Sequence, residues 1–291
     1  MRLRTKLNLV LLLVFLIGLG SSAYLANRIL QQNAREEVLQ NARIMLESAR
    51  GAATYTVQEI TPLLELQIKR RFLPQTVSFY AAKKSFGAIR VKFPEYSYRL
   101  PALNPTNLVD RATDWEADAI REFRNNPDHI ELIAERNTPA GPVLNLFQPV
   151  TIRDKGCLIC HSRPANAPKS MLDIYGTANG FGWKMNDTIA AEVVSVPMSV
   201  PMERAHRAFV ILMGLLVSVF LLLMVLLNIL LHFVIIQPVS KMSHIANEVS
   251  LGKTDEPEYL VGGSDEIASL ANSLNRMRRS LESAMTLLQA R

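Results

Sequence analysis

Hydrophobic residues fall along this chain in three patterns. Two long stretches are almost purely apolar: residues 7–26, and residues 209–236, which contain no Asp, Glu, Lys or Arg. A helix needs about 20 apolar residues to cross a bilayer. Both stretches reach that length and predict transmembrane helices at 7–27 and 208–236. The competing reading of the first is a cleaved signal peptide with Ser21-Ser22-Ala23 at its processing site. The helical pattern runs past Ala26 without a break, which favours an anchor. The second stretch is too long and uniform for a core helix in a chain of 291 residues.

The second pattern is amphipathic. From 28 to 60 breakers are few, and Val38, Ala42, Met45, Ala49 and Ala52 recur at steps of three and four, one face of a helix. This predicts a helix that extends the first span and pairs with a partner. Pro62 and Pro74 interrupt the chain beyond it. Residues 75–137 mix short helical stretches, such as 115–123, with Pro/Asn turns. The third pattern is strand-like. Residues 143–152 follow the Gly141-Pro142 turn, and residues 189–200 follow a Gly-rich turn; both are rich in β-branched and apolar side chains. A helix followed by strands and irregular loops predicts an α+β domain over 28–207.

After the second span come Pro238 and a short amphipathic stretch, Val239, Met242, Ile245 and Val249. A connector, 252–263, carries three glycines and Pro257. A second helix is expected to start at Ser264 as N-cap, before Asp265 and Glu266. Its apolar residues Ile267, Leu270, Leu274, Met277, Leu281, Ala284 and Leu288 alternate at three and four, a heptad seam. The order of span, proline, short helix, connector, Asp-Glu pair and heptad helix resembles the HAMP module of bacterial receptors, here 237–291. HAMP modules are parallel four-helix bundles built from two chains, so the resemblance implies a homodimer.

Charge sets the orientation. Arg2, Arg4 and Lys6 precede the first span, and the positive flank stays inside. Residues 1–6 and the C-terminus are then cytoplasmic, in a bacterial inner membrane, and 28–207 face the oxidising periplasm. The net charge of +6 comes without a Lys/Arg tract interleaved with aromatics, so nucleic-acid binding is not read from it.

The chemistry sits in one motif. Cys157 and Cys160 are the sequence's two cysteines, and His161 follows directly. Cys-x-x-Cys-His is the c-type haem attachment pattern. Each thiol adds across one haem vinyl group, and the histidine lies under the iron as its proximal ligand. A structural disulfide, a thioredoxin-like redox pair and a zinc site compete. The redox pair normally opens a helix in a βαβ unit, and zinc lacks a fourth ligand.

Several ordered segments surround the motif: Leu103-Asn104-Pro105-Thr106-Asn107, Ala112-Thr113-Asp114-Trp115-Glu116, Ala167-Pro168-Lys169-Ser170-Met171, Tyr175-Gly176, Asn179-Gly180-Phe181-Gly182-Trp183 and Val194-Ser195-Val196-Pro197-Met198. With Cys157–His161 they resemble a family of bacterial sensor domains that bind c-type haem on a PAS-like fold, over roughly residues 35–205. The resemblance implies a PAS-like antiparallel sheet, one covalent haem per chain and a sensory role. Some members of that family place a cysteine opposite the proximal histidine, and this chain has no third cysteine. The candidates for the sixth iron position are Met45, His129 and Tyr55, with Met171 and Met185 behind them. A vacant position, open to O2, NO or CO, is the favoured reading. His206 reads as interfacial. Arg153, Arg163 and Lys169 flank the motif as candidate partners of the haem propionates, and Phe181 and Trp183 as candidate packing on the porphyrin.

The sequence therefore predicts a sensor without catalytic turnover. It responds to iron redox state or to a bound gas and signals through HAMP to a separate cytoplasmic protein such as a kinase or cyclase. No nucleophile set, phosphate loop or kinase motif is evident. The alternatives are a membrane-anchored monohaem electron-transfer cytochrome, and a small-ligand receptor in which haem is only structural.

Overall fold

The computed structural model describes residues 3–251, 258–259 and 263–289. Two compact units divide the chain: residues 25–209, and the two terminal stretches together. Two helices carry apolar stretches long enough to cross a membrane, with those stretches unburied.

Helix α1 (Leu3–Tyr55), which belongs to the first unit from residue 25 on, ends in a π turn, Thr56–Ile60, followed by the short helices α2 (Thr61–Leu63) and α3 (Glu65–Arg70) and by α4 (Ser78–Lys92). Strand β1 (Ser97–Arg99), helix α5 (Asp114–Asn125), strands β2 (Leu132–Thr138) and β3 (Gly141–Thr151), helices α6 (Gly156–His161) and α7 (Lys169–Tyr175), strand β4 (Thr188–Pro197) and helix α8 (Ser199–Leu231) follow. The four strands form one antiparallel sheet in the order β1-β4-β3-β2. The α+β class and the antiparallel sheet agree with the expectation. β3 and β4 are the two predicted strands. As central strands they are buried on both faces, so each reads as a nearly continuous apolar run. β1 and β2 lie at the edges. β2 is half polar, and β1 is only three residues long. β2 stops pairing at Phe147, two residues before Pro149, which has no N–H to give a neighbour on that side.

Each face of the sheet has its own helical cover. On one face Val38, Ala42, Leu46, Ala49 and Ala53 of α1, with Ala82 and Phe86 of α4, pack on Tyr98, Leu144, Leu146, Val194 and Val196. The stripe predicted for α1 is thus displaced. Leu46 and Ala53 point inward where Met45 and Ala52 were expected, and the stripe docks on the chain's own sheet instead of awaiting a partner. Arg35 and Arg43 also pair with Glu135 and Glu131 of the β2 side. Such half-exposed pairs contribute about 0.2–1 kcal/mol each, whereas one buried Leu contributes about 1.5–3 kcal/mol. The apolar stripe is what docks α1. On the opposite face Ala119, Ile120 and Phe123 of α5 cover Phe147, Ala191 and Val193, with Trp115 edge-on to Phe147 at 5.1 Å. Glu116 starts α5: its Oε2 accepts from the Thr113 N–H and hydroxyl at 2.8 and 2.7 Å, and its Oε1 takes Arg99 at 2.8 Å. A third cluster closes one end of the sheet with Val150, Ile152, Ile189 and Ala190, against Phe79, Leu158, Trp183 and Met185.

In the other unit α8 runs into a second π turn, His232–Ile236, then α9 (Gln237–Ser250) and α10 (Glu266–Gln289). Both π turns stand just before a proline, Pro62 and Pro238. Proline donates no N–H and its ring crowds the carbonyl four residues back; one wider turn relieves that conflict. The N–H of Thr61 accordingly bonds the carbonyl of Thr56, and that of Gln237 the carbonyl of His232. The expected N-cap of α10 moves by one residue: Asp265, not Ser264, accepts the Ala268 N–H, at 2.8 Å. α9 buries Met242, Ile245 and Val249, while Val239 stays largely exposed. α10 packs on α9 and buries Ala268, Ala271 and Asn275. Asn275 grips the connector by both backbone groups of Tyr259. Leu270, Met277 and Leu281 of the heptad seam are 51%, 53% and 44% exposed among the described residues, while Ile267 and Leu274 are partly buried. Most of the connector, including Gly252 and Pro257, and the side chain of Leu288 lie outside the described residues.

Candidate cofactor-attachment site

Helix α6 is launched by Asp154, whose Oδ1 accepts the Gly156 N–H at 2.7 Å. It carries Cys157 and Cys160 one turn apart and ends on His161. Both thiols are free, Cys157 exposed and Cys160 partly buried. Desolvation raises the pKa of each thiol; the Asp154 charge adds to this for Cys157, and Cys157 for Cys160. A reactive redox pair needs a thiol pushed the other way, so the electrostatics disfavour the thioredoxin-like reading. Among the described residues no three of His, Cys, Asp and Glu cluster as a metal site.

His161 is oriented from three sides. Its ring stacks on Trp183, centroids 3.9 Å apart and planes 17° from parallel. Its Nδ1 lies 2.8 Å from the Gly180 carbonyl oxygen and 3.4 Å from Thr106 Oγ1. A carbonyl only accepts, so Nδ1 carries the proton and Nε2 keeps its lone pair. Burial lowers the pKa of the ring, which favours that neutral form. The loop at 180–183 is tied back to the helix end: Gly182 N–H donates to the Ser162 carbonyl, and Trp183 N–H to that of His161. Asn104 clamps the same loop, accepting from Gly180 N–H at 3.1 Å and donating to the Phe181 carbonyl at 3.2 Å. Asn104, Thr106 and Gly180 thus orient His161. Local pattern gives these residues no role, because the loops that hold them are more than 70 residues apart.

Beside the motif lies a groove of about 1230 Å³. Ala53 and Val57 line it from the end of α1, Phe79 from α4 and Val150 from β3, with Arg153, Arg124 and His129 also on its walls. Phe79 and Val150 belong to the same cluster as Leu158 of α6 and Trp183, and no residue of α6 itself lines the groove. Glu192 forms part of its wall. Its buried carboxylate takes Arg50 Nε at 2.7 Å and the Tyr98 hydroxyl at 2.8 Å. Burial pushes the Tyr98 phenol upward, and the Glu192 charge adds to that. This buried trio was not anticipated from the sequence.

The other candidates are placed separately. Met45 packs against the core between α1 and the sheet. Tyr55 is 58% exposed. His129 lines the groove, with Glu122 at 3.2 Å from its Nδ1. Met171 is buried, and Met185 packs near Trp183 in the cluster at the sheet end. Arg163 and Lys169 are exposed and lie outside the groove lining, unlike Arg153.

The chain joins an α+β domain to two helices apolar and long enough to cross a membrane and to a further helical stretch after the second of them. Residues 31–197 match the Tll0287-like family and residues 230–283 match the HAMP domain. The chain belongs to the Tll0287-like family. One similar solved structure is that of the cyanobacterial heme-protein Tll0287, 15% identical, with a TM-score of 0.43 over 55% of this chain and 95% of that one. No curated protein matches the chain.

Proposed function

We propose that this chain is a haem c sensor. One haem is held by thioethers from Cys157 and Cys160, with His161 Nε2 as its proximal ligand. The observation that carries the reading is the bond from His161 Nδ1–H to Gly180, which fixes the tautomer and leaves Nε2 as the ligating atom. The fit of the surrounding residues supports it: two uncommitted thiols one turn apart, a stacked imidazole, and an adjoining groove with an apolar wall and arginines on it. Haem bound there supplies a reversible one-electron centre and an exchangeable coordination position. Trp183 holds the imidazole plane, Asn104 and Thr106 hold the Gly180 loop, and Arg153 and Arg124 offer positive charge to carboxylates in the groove. The site works without turnover, in the periplasm, with both termini in the cytoplasm. With haem in place, its oxidation state or a bound diatomic gas would be the stimulus, and the residues that orient His161 would pass it on as a shift of population between two helix arrangements. HAMP carries the shift to the cytoplasmic side.

The test is to purify the full chain from cells that mature c-type haem. Spectra are recorded oxidised, reduced, and reduced with CO or NO. Covalent haem is expected, and Cys157→Ala/Cys160→Ala should lose all haem that survives denaturing electrophoresis. A gas-shifted spectrum marks a gas sensor. A six-coordinate site blind to gas leaves redox sensing or electron transfer. Wild-type protein without covalent haem would sink the proposal.

The chain acts as a homodimer in this reading, because the exposed seam on α10 needs a second copy to cover it. Leu270→Lys/Met277→Lys is expected to abolish inter-subunit chemical cross-linking across α10 in membranes. Undiminished cross-linking would refute that interface.

A further inference from the structure

Within the unit that contains residues 3–24 and 210–289, α1 and α8 meet along one stripe each. Asn8, Leu11, Phe15 and Leu19 are among the partly shielded positions of α1, and Val217, Phe220, Met224, Leu227 and Asn228 among those of α8. Phe15 stacks on Phe220 at 3.6 Å. Asn8 and Asn228 then sit opposite each other, two turns further along an antiparallel pair. Their amides bond reciprocally: each NH2 donates to the other's oxygen at 3.1 Å. Arg4 Nε donates to the same Asn228 oxygen at 2.9 Å, and Asn228 donates to the Met224 carbonyl of its own helix at 2.9 Å.

An amide within a membrane span finds little water, so its partner must come from protein. The flanking Leu, Phe and Met contacts hardly discriminate between neighbouring offsets, because lipid tails are as apolar as they are. The amide pair does discriminate. Displacing one helix by a single residue moves it about 1.5 Å along its axis, enough to break both 3.1 Å bonds.

We propose that Asn8 and Asn228, closed by Arg4, form a polar latch that locks the axial register of the two apolar helices. Its release lets a displacement of α8 pass to the π turn at His232–Ile236 and into α9. The latch rests on no cofactor and stands whether or not haem is bound.

The test uses the full chain in lipid nanodiscs with introduced cysteine pairs. Leu11→Cys/Met224→Cys reports the observed register, and Leu11→Cys/Phe220→Cys reports a register one turn displaced. Oxidation is followed by mass spectrometry of the linked peptides, which separates these links from any involving Cys157 or Cys160. The observed-register pair is expected to dominate. Asn8→Leu or Asn228→Leu, which make the spans more apolar and easier to insert, should each lower the ratio of the two links about three- to twenty-fold. The double variant should match Asn228→Leu, since that substitution already removes both the amide pair and the Arg4 bond. A ratio unchanged by either substitution, two additive losses, or equal cross-linking of both pairs in the parent protein would each overturn the latch.

Discussion

Gly180→Ala is expected to destabilise the sensor domain by about 3 kcal/mol and to disturb the ligation of His161. Gly180 has φ +81°, and an added Cβ would lie 2.1 Å from Thr106 Oγ1, 2.8 Å from its Cα and 2.9 Å from its Cβ. A left-handed non-glycine residue costs about 1–2 kcal/mol, and overpacking against backbone adds about 1–3 kcal/mol. The side chain of Thr106 can rotate, but its Cα cannot move without dragging the loop that Asn104 anchors. For a domain of this size each kcal/mol is worth roughly 2–4 °C, so the melting temperature should fall by about 6–12 °C. Gly182→Ala is the matched control: its φ is +82° and no atom stands within 4 Å of the added Cβ. It should show the backbone cost alone. Because the Gly180 carbonyl is the acceptor for His161 Nδ1, protein loaded with covalent haem should also show mixed axial ligation in Gly180→Ala and not in Gly182→Ala. Equal melting temperatures for the two variants would remove the steric argument.

Arg50→Ala should be nearly as costly, by about 2–3 kcal/mol, because it strands the Glu192 carboxylate. That side chain is 3% exposed and keeps only the Tyr98 hydroxyl once the guanidinium is gone. Removing one member of a buried pair costs about 3–5 kcal/mol; the smaller figure here reflects the 35% exposure of Arg50 itself. Arg50→Met/Glu192→Gln should recover most of the loss, since it removes both charges and keeps an acceptor for the buried Tyr98 hydroxyl. Urea unfolding of Arg50→Met, Glu192→Gln and the double closes a mutant cycle. Additive losses would show that the pair is not coupled.

These two sites mark the boundary of what the chain discloses before it folds. Hydropathy alone located both apolar helices, because a membrane span is a property of composition over about 20 residues. The heptad steps of α10 and the Asp-Glu pair before it were equally local. β3 and β4 were legible because strands buried on both faces are apolar throughout. β2 was not: an edge strand faces water, and its Glu135 turns outward to Arg35 of α1. The stripe of α1 was found but set one residue out at Leu46 and Ala53, since periodicity gives a face only to within a fraction of a turn and the sheet decides which side docks.

At the candidate site, Cys157, Cys160 and His161 announced themselves through spacing, which short-range covalent geometry dictates. What orients His161 did not. Gly180, Asn104 and Thr106 act through a left-handed turn, a backbone carbonyl and contacts across 55 to 77 residues. Arg50 and Glu192 meet across 142 residues. By itself the sequence determined the two apolar helices, the Cys-x-x-Cys-His pattern, the two central strands and the heptad steps of α10, all encoded by neighbours along the chain. Tertiary structure alone decided the edge strands, the tautomer of His161, the buried Glu192 trio and the Asn8–Asn228 pair. Each of these depends on which distant groups share a buried space where a polar atom must find a partner.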